Sequence, residues 1–323
     1  MEAKALWHIS QYESGLRTFQ LRSDKGCIYV KSLFSMISVG TERNIAMGNV
    51  PEDMYHAMSV PDMQGSFPFP VTHGYSLVGI VREGPAELSG KIVHMLHPHQ
   101  DYVALTNDTF FVIPPDVDPV IAALGSNMET VINAIWDAQL LPGDNVLITG
   151  FGTVGALLTI TLKLALPYVT CRVLEPDNER RQTGSGLGLQ MAAHADELNT
   201  GFDVTFDVSG NESALQTCID KAGYEGKIVS LSWFGTKSTS LKLGGDFHSK
   251  RKKLISSQVS NIPLHKQGQW DFRRRKELVF NILQHEFWKK IPFAFIPFEE
   301  TPAFFNELRV NNTKEIFNII KYT

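Results

Sequence analysis

Gly150-Phe151-Gly152-Thr153-Val154-Gly155 places three glycines in the spacing GxGxxG. Glycines so spaced serve one kind of chemistry. The first permits a tight turn after a strand, the second lets a diphosphate approach the backbone, and the third lets the following helix pack closely on the strand. Free N–H groups and the positive dipole end of that helix then receive the negative charge. Glu175 follows about 20 residues after the last glycine, where a carboxylate accepts hydrogen bonds from an adenosine ribose. That carboxylate repels a ribose 2′-phosphate and so favours NAD(H), while Arg180 and Arg181 keep NADP(H) open. GxGxxG alone also marks glycine turns in unrelated α/β proteins; its weight here comes from the acid and from the elements around it. A second concentration of chemistry is His94, His97 and His99, with His73 upstream. Imidazoles hold metals or move protons. On a strand His97 and His99 would share a face and His94 would point away, and histidines grouped near a turn are more often hydrogen-bonded or substrate-contacting than metal ligands.

The glycine run needs a strand before it and a helix after it. Residues 145–149 form a compact apolar run. Val154, Leu157, Leu158, Leu162, Ala165 and Leu166 then recur at helical spacing until Pro167 stops them. Strands are predicted at 170–174, 204–208 and 227–231, and helices at 121–138 and 212–221. This alternation specifies a doubly wound parallel sheet. The N-terminal part reads differently: short β-like runs at 26–31, 77–81, 91–95, 102–105 and 110–113, separated by Gly, Pro and Asp, up to Pro114-Pro115 and Pro119. The tail holds a helix at 272–285, a proline-bounded strand, another helix and a closing strand at 315–321, and could return to the first domain. The expected division is a β-rich domain of residues 1–119 and 262–323 around a dinucleotide domain of residues 120–261.

Composition narrows the rest. The chain has 323 residues, 43% hydrophobic and 20% charged, enough apolar surface for two cores, and a formal net charge of -4. A nucleic-acid binder needs a basic face, and only Lys250, Arg251, Lys252 and Lys253 form a basic run, read as a solvated turn or helix start. No apolar core segment appears in the first thirteen residues and no stretch reaches membrane-helix length, so neither a secretory signal nor a membrane span is read. Three scattered cysteines make no disulfide framework and no multi-cysteine zinc site, which suits a reducing cytoplasm.

The order of parts resembles the medium-chain dehydrogenase/reductase family over nearly the whole chain. The markers are Val39-Gly40-Thr41-Glu42, Gly74-Tyr75-Ser76-Leu77-Val78-Gly79, Thr130 ahead of Pro142-Gly143-Asp144, the glycine run, and Phe206-Asp207-Val208-Ser209-Gly210. The resemblance implies an α/β fold made of a GroES-like β-rich catalytic domain and a Rossmann domain, and a homodimer through the edge of the nucleotide-binding sheet near residues 227–231. It also shows a departure. Zinc-dependent members keep a cysteine, a His-Glu pair and a third ligand at the positions that here are Val39, Tyr75-Ser76 and Ser126, and valine, neutral tyrosine and serine are poor zinc ligands. No zinc is therefore expected. Leu96-His97-Pro98-His99-Gln100-Asp101, Asn127-Met128-Glu129-Thr130, Leu231-Ser232-Trp233-Phe234-Gly235 and Phe247-His248-Ser249 are similar to a zinc-free bacterial branch distantly related to bacteriochlorophyllide dehydrogenases.

By the same resemblance Thr41 stands where relatives relay the alcohol proton, Tyr75 where a metal-binding histidine points into the pocket, and His97 where the substrate pocket is lined. Tyr75 and His97 are expected to hold the substrate oxygen, His97 serving as general acid, with Thr41 completing the relay. Glu42 matches the acid that orients a zinc-bound histidine; with that histidine gone, Arg43 or Tyr75 is its expected partner. Thr130, Ser232 and Trp233 fall where the nicotinamide rests. Gly150, Gly152, Thr153, Val154, Gly155, Glu175 and Ser209 complete the expected coenzyme contacts. Three readings stay open: an NAD(H)-dependent oxidoreductase on a small alcohol/carbonyl pair, an NAD(P)H-dependent quinone or enoyl reductase, and a catalytically silent coenzyme-binding protein.

Overall fold

The computed structural model describes residues 1–23, 26–105 and 109–323, and the chain divides into two compact units. The first unit comprises Met1–Ser126, Leu283–Thr313 and Phe317–Thr323, and the second Asn127–Ile282 and Lys314–Ile316. Eight strands open the chain: β1 (Glu2–Ser10), β2 (Glu13–Gln20), β3 (Ile28–Ile37), β4 (Val71–Thr72), β5 (Leu77–Glu83), β6 (Ile92–Met95), β7 (Tyr102–Leu105) and β8 (Phe110–Val112). The second unit supplies β9 (Asn145–Thr149), β10 (Thr170–Leu174), β11 (Met191–Ala192), β12 (Phe202–Asp207), β13 (Ala222–Ser230) and β14 (Lys253–Ser256). The first unit then closes with β15 (Ala294–Pro297) and β16 (Asn318–Lys321).

In the first unit β2-β1-β4 form a small sheet, and β15-β16-β3-β5-β6-β8 form a larger one to which β7 pairs through β3. Strand β3 begins with period-two burial, Ile28, Val30 and Ser32 inward and Tyr29 and Lys31 less buried, as a sheet with one packed face requires. Val30, Ile37, Leu77, Val81, Val93, Met95, Val103, Leu105 and Ile320 make the core between its strands. The β1–β2 hairpin carries no long apolar run. Its buried positions are Ala3, Ala5, Leu6, His8 and Ser14, all but Leu6 small or polar residues that periodicity does not flag.

The second unit is a parallel sheet ordered β11-β10-β9-β12-β13-β14. With β9 as first strand this is the 3-2-1-4-5-6 order of dinucleotide-binding folds. The expected fold class, a β-rich unit and a Rossmann sheet, is the one observed. The Thr153–Ala165 helix is buried almost continuously from Thr153 to Leu162, as its apolar sequence dictates.

Several expectations are corrected. The helix expected over 121–138 is two helices, Pro119–Ala122 and Gly125–Ala138, the first capped by Asp118 accepting from the Val120 N–H. Residues 227–231 do not edge the sheet, because β14 pairs outside β13 and takes that place. The basic run is neither wholly solvated nor a helix start. Lys250 pairs with Asp246 and Arg251 with Glu225, Lys253 opens β14, and Lys252 is buried with Nζ donating to the Ile219 carbonyl at 2.6 Å. Residues 262–282, expected in the β-rich domain, fall in the second unit. Two contacts hold them there: Trp270 meets Trp136 at 4.9 Å, and Arg275 and Lys276 clasp the buried Glu129. No helix among the described residues is long and apolar enough to cross a membrane.

Candidate functional site

In the second unit the glycine elbow follows β9 directly. Gly150 has φ 104°, and a Cβ there would stand 3.1 Å from Ser209 Cα, so only glycine makes this turn. A Cβ on Gly155 would stand 2.1 Å from the Gly150 carbonyl oxygen, so the helix can approach the strand only without one. Gly152, the N-cap of the helix, is different: nothing lies within 4 Å of where its Cβ would be. The protein itself does not need a glycine there. The open space lies at the helix N-terminus, where backbone N–H groups lack intrahelical acceptors, and it is the cradle a diphosphate requires. The Thr153 hydroxyl donates to the Ile316 carbonyl at 2.6 Å, so toward a diphosphate Thr153 has only its backbone N–H to donate. Val154 follows it in the first turn.

Glu175 at the end of β10 is buried. Its Oε2 accepts from the Phe151 N–H at 2.7 Å, inside the glycine elbow, and its Oε1 from the Asp177 N–H at 2.8 Å. A carboxylate has about four lone-pair sites, so both oxygens retain acceptor capacity for ribose hydroxyls. Arg181 donates to the carbonyls of Glu175 and Pro176 and to Asn178 Oδ1, and Arg180 Nε to the Lys314 carbonyl. Ser209 and Ser232 gather beside the elbow: the Ser209 hydroxyl donates to Asp207 Oδ1 at 2.8 Å, and Ser232 Oγ accepts from the Gly210 N–H at 2.8 Å. Thr130 and Trp233 are half-buried in the same unit. Beside Thr130, Glu129 takes Arg275 at 3.3 Å and also Lys276, and Arg275 continues to Asn133 and the Val259 carbonyl. Burial pushes the Lys276 ammonium down, against the pull of Glu129.

The first unit holds a buried polar chain. Glu42 Oε1 accepts from the Ser38 N–H at 2.7 Å, and Oε2 takes His99 Nε2 at 2.7 Å; His99 Nδ1 meets Ser35 Oγ at 2.8 Å, and Ser35 Oγ meets the Tyr322 hydroxyl at 2.9 Å. The Tyr322 oxygen also accepts from the Gln100 backbone, and His99 Nε2 faces the Glu42 carboxylate as its donor. His99 lies between a hydroxyl and a carboxylate. Glu42 thus pairs with His99; of the two expected partners, Arg43 or Tyr75, Arg43 donates instead to the carbonyls of Leu308 and Arg309.

The three neighbouring histidines do not form one group. His94 Nε2 lies 3.0 Å from Ser76 Oγ, whose own proton goes to the Ala123 carbonyl at 2.6 Å, so the ring must be the donor. His97 Nδ1 lies 2.9 Å from the Pro98 carbonyl. A carbonyl only accepts, so Nδ1 carries the proton and Nε2 the lone pair of the neutral ring. Only His94 is on a strand; His97 and His99 follow β6 in irregular backbone, so strand alternation does not apply to them. Ser126 Oγ donates to the Tyr75 carbonyl at 2.6 Å, and Tyr75 meets His73 edge-on at 5.9 Å. Thr41 is half-buried in the first turn of the Val39–Ala46 helix. Among the described residues, no group of three or more His, Cys, Asp or Glu could hold a metal ion.

Burial lowers His8, His73 and His97, His73 to about 4, with Glu42 opposing the shift at His73. At His97 burial favours the neutral ring, with Nε2 as its acceptor. A folded-state value below the ordinary 6.5 means the unfolded chain binds the proton better. Stability is therefore complete above 6.5 and is lost as pH falls toward 4. At 1.36 kcal/mol per unit, His73 alone removes about 2 kcal/mol between pH 7.5 and 5.0. Urea unfolding at the two pH values checks this; equal stabilities would contradict it.

Sequence reasoning missed His99 as the partner of Glu42, and Ser35, Tyr322, Asp207 and the Glu129 cluster. Asp207 sat within a quoted motif, but nothing in spacing ties Ser35 to Tyr322, 287 residues away.

No family model matches the chain. It is 27% identical over 159 residues to the L-threonine 3-dehydrogenase of Saccharopolyspora erythraea, a match covering 45% of each chain. The chain thus spans under half the length of that curated relative. Solved structures match throughout. The 2R,3R-butanediol dehydrogenase of Bacillus subtilis superposes with TM-score 0.75 at 17% identity over 99% of both chains. Acetophenone reductase of Geotrichum candidum, in complex with NAD, superposes with TM-score 0.77 at 13% identity over 99% of this chain and 97% of that one. At such identities the likeness is one of fold.

Proposed function

We propose that this chain is a nicotinamide-dependent oxidoreductase of the medium-chain dehydrogenase/reductase family, interconverting a small alcohol and its carbonyl compound without zinc. The observation that carries the reading is the glycine elbow. Two of its glycines are demanded by the protein's own packing, and the third, Gly152, leaves open space at a helix N-terminus. The dehydrogenases and reductase similar to this chain support the reaction class.

The residues fit a dinucleotide: the backbone of Gly152, Thr153 and Val154 for the diphosphate, Glu175 for the adenosine ribose, Thr130, Ser232 and Trp233 for the nicotinamide end. A bound nicotinamide supplies the hydride acceptor or donor. Glu175 favours NAD(H), because its buried carboxylate repels a 2′-phosphate while Arg180 and Arg181 donate to carbonyls. The residues do not fit zinc. Val39 has no donor atom, and the Ser76 and Ser126 hydroxyls give their protons to carbonyls at 2.6 Å. Elemental analysis of protein purified without added metal tests this, and stoichiometric zinc would end the zinc-free reading.

Proton handling falls to side chains. His97 Nε2 accepts the hydroxyl proton in alcohol oxidation and returns it in reduction, the Tyr75 phenol donates to the substrate oxygen, and Thr41 completes the relay. Replacing either His97 by alanine or Tyr75 by phenylalanine is expected to cut turnover about 100-fold, with NADH affinity held within about twofold. The assay is a panel of ketones and enones with product analysis. Full turnover in both variants removes the assignment, and reduced enone alone moves the chain to alkene reduction. The proposal extends to a cytoplasmic homodimer paired through β14, the outermost strand of the parallel sheet, since an uncovered strand offers a ladder of backbone groups to a second copy. Light scattering after size exclusion checks the dimer; a clean monomer refutes it.

A further inference from the structure

Strand β12 ends on Asp207, a carboxylate with no exposed surface. Its Oδ1 accepts from the Ser209 hydroxyl at 2.8 Å, the Ser209 N–H at 3.2 Å and, at the limit, the Thr149 hydroxyl at 3.5 Å. Its Oδ2 has no hydrogen-bond partner among the described residues. An unpaired oxygen on a buried carboxylate costs free energy and calls for a reason.

The contacts of Oδ1 shape a turn. They fold the chain back at Ser209 and Gly210, whose φ is 65°, and Ser232 joins the turn by accepting from the Gly210 N–H. That turn is the surface against which the first glycine of the elbow lies, Ser209 Cα being 3.1 Å from where a Gly150 Cβ would be. β12 is also the neighbour of β9 on the side away from β10, so Asp207 stands at the point where the strand order reverses and α/β sheets bind ligands. The groups facing it are Thr149 on β9, Ser209 and Gly210 in the turn, Ser232 after β13, and Cys218 on the Glu212–Lys221 helix. Cys218 lies 3.3 Å from the Thr149 hydroxyl, and burial pushes its thiol up to about 12, so it stays neutral. No cation is among these groups.

We propose that Asp207 is a positioning residue for the dinucleotide. Through Ser209 it sets the turn that backs the glycine elbow, and its unpaired oxygen makes coenzyme affinity depend on whether the carboxylate is charged. This rests on the nicotinamide reading. Burial raises the Asp207 carboxyl, against the hydroxyls of Ser209, Ser232 and Thr149, so the charge is shed at a higher pH than from an ordinary aspartate. A charged Asp207 opposes the diphosphate at the elbow; a neutral one does not.

The test is calorimetric titration of ADP-ribose, which carries the adenosine and diphosphate alone, into full-length wild type, Asp207→Asn, Asp207→Ala and Ser209→Ala between pH 5.0 and 7.5. Asp207→Asn keeps the acceptor and loses the charge. It is expected to bind about fivefold tighter than wild type at pH 7.5, the difference narrowing as the pH is lowered. Ser209→Ala keeps the charge, loses the hydroxyl arm of the bracket and is expected to bind about fivefold more weakly than wild type, and Asp207→Ala, which loses charge and bracket together, is expected to bind more weakly than Asp207→Asn. Ser209→Ala carries that arm alone if Asp207→Ala fails to fold. Wild-type binding that Asp207→Asn matches at every pH, or that Ser209→Ala leaves unchanged, overturns the proposal and spares the nicotinamide reading. No ADP-ribose binding by wild type brings down both.

Discussion

A Gly152→Val protein is expected to fold as the wild type does and to bind NADH at least about 100-fold more weakly. The two halves of this result come from one measurement of space. Nothing in the protein lies within 4 Å of a Cβ at position 152, and its φ of -76° and ψ of -167° are open to any L-residue. Valine prefers such extended backbone, so the unfolding temperature should stay within about 2 °C of wild type. Its two methyl groups, however, stand over the N–H groups that a diphosphate must reach. Loss of those charge-assisted bonds, each about 1.5–3 kcal/mol, is enough for the expected fall in affinity. Gly155→Ala provides the contrast. There the new methyl meets a carbonyl oxygen at 2.1 Å, and the protein loses about 1–3 kcal/mol of stability or more before any ligand is added. Thermal unfolding and NADH fluorescence titration on the two variants separate a glycine kept for the ligand from a glycine kept for the fold. If Gly152→Val binds NADH normally, the elbow is not a diphosphate cradle.

Replacing His99 by leucine is expected to cost about 3–5 kcal/mol at pH 7.5, the range seen when one partner of a buried pair is removed. The imidazole and Glu42 side chains have no exposed surface, and the Nε2–H bond of 2.7 Å is one of two the carboxylate receives. Leucine leaves the anion in the core with the Ser38 N–H and strips Ser35 of its imidazole partner at the same time. Glu42→Gln removes the charge and keeps an acceptor for His99, so it should cost far less, and the double variant should regain part of the loss. Acid sharpens the comparison. Burial by itself would raise the Glu42 carboxyl, but His99, His73 and the Ser38 N–H together hold it below its ordinary 4.5. A lowered value contributes stability that is complete above 4.5 and disappears as pH falls through the folded-state value. Wild type should therefore carry an acid-labile component below pH 4.5 that Glu42→Gln lacks. Urea unfolding of the three proteins across that range is the measurement; a His99→Leu cost under about 1 kcal/mol would falsify the buried chain.

The sequence by itself determined the strand–turn–helix heart of the second unit. Strands at 145–149 and 170–174 and the helix at 212–221 fall where pattern and punctuation place them, because each is a local repeat of apolar residues closed by glycine, proline or a cap. The glycine elbow and Glu175 were legible for the same reason, since their spacing is a property of one strand–turn–helix segment. What the sequence could not carry were relations between segments. That Trp270, Arg275 and Lys276 belong with Trp136 and Glu129 is a fact about packing across more than a hundred residues. The N-terminal hairpin was hidden because small and polar residues take all its buried positions but Leu6, and β14 because charge occupies its start.

The polar site of the first unit was decided by tertiary structure alone. Spacing brings Glu42 and Arg43 together, yet the carboxylate turns to His99, 57 residues on, and Arg43 to carbonyls of a distant helix. A buried charge takes the donor that satisfies it in three dimensions, and a buried donor is chosen by geometry, not by sequence distance. The chain's residue types announced that it holds groups able to bind a dinucleotide and move protons. Which of those groups face one another, which nitrogen carries the proton and which oxygen is left unpaired exist only once the strands are side by side.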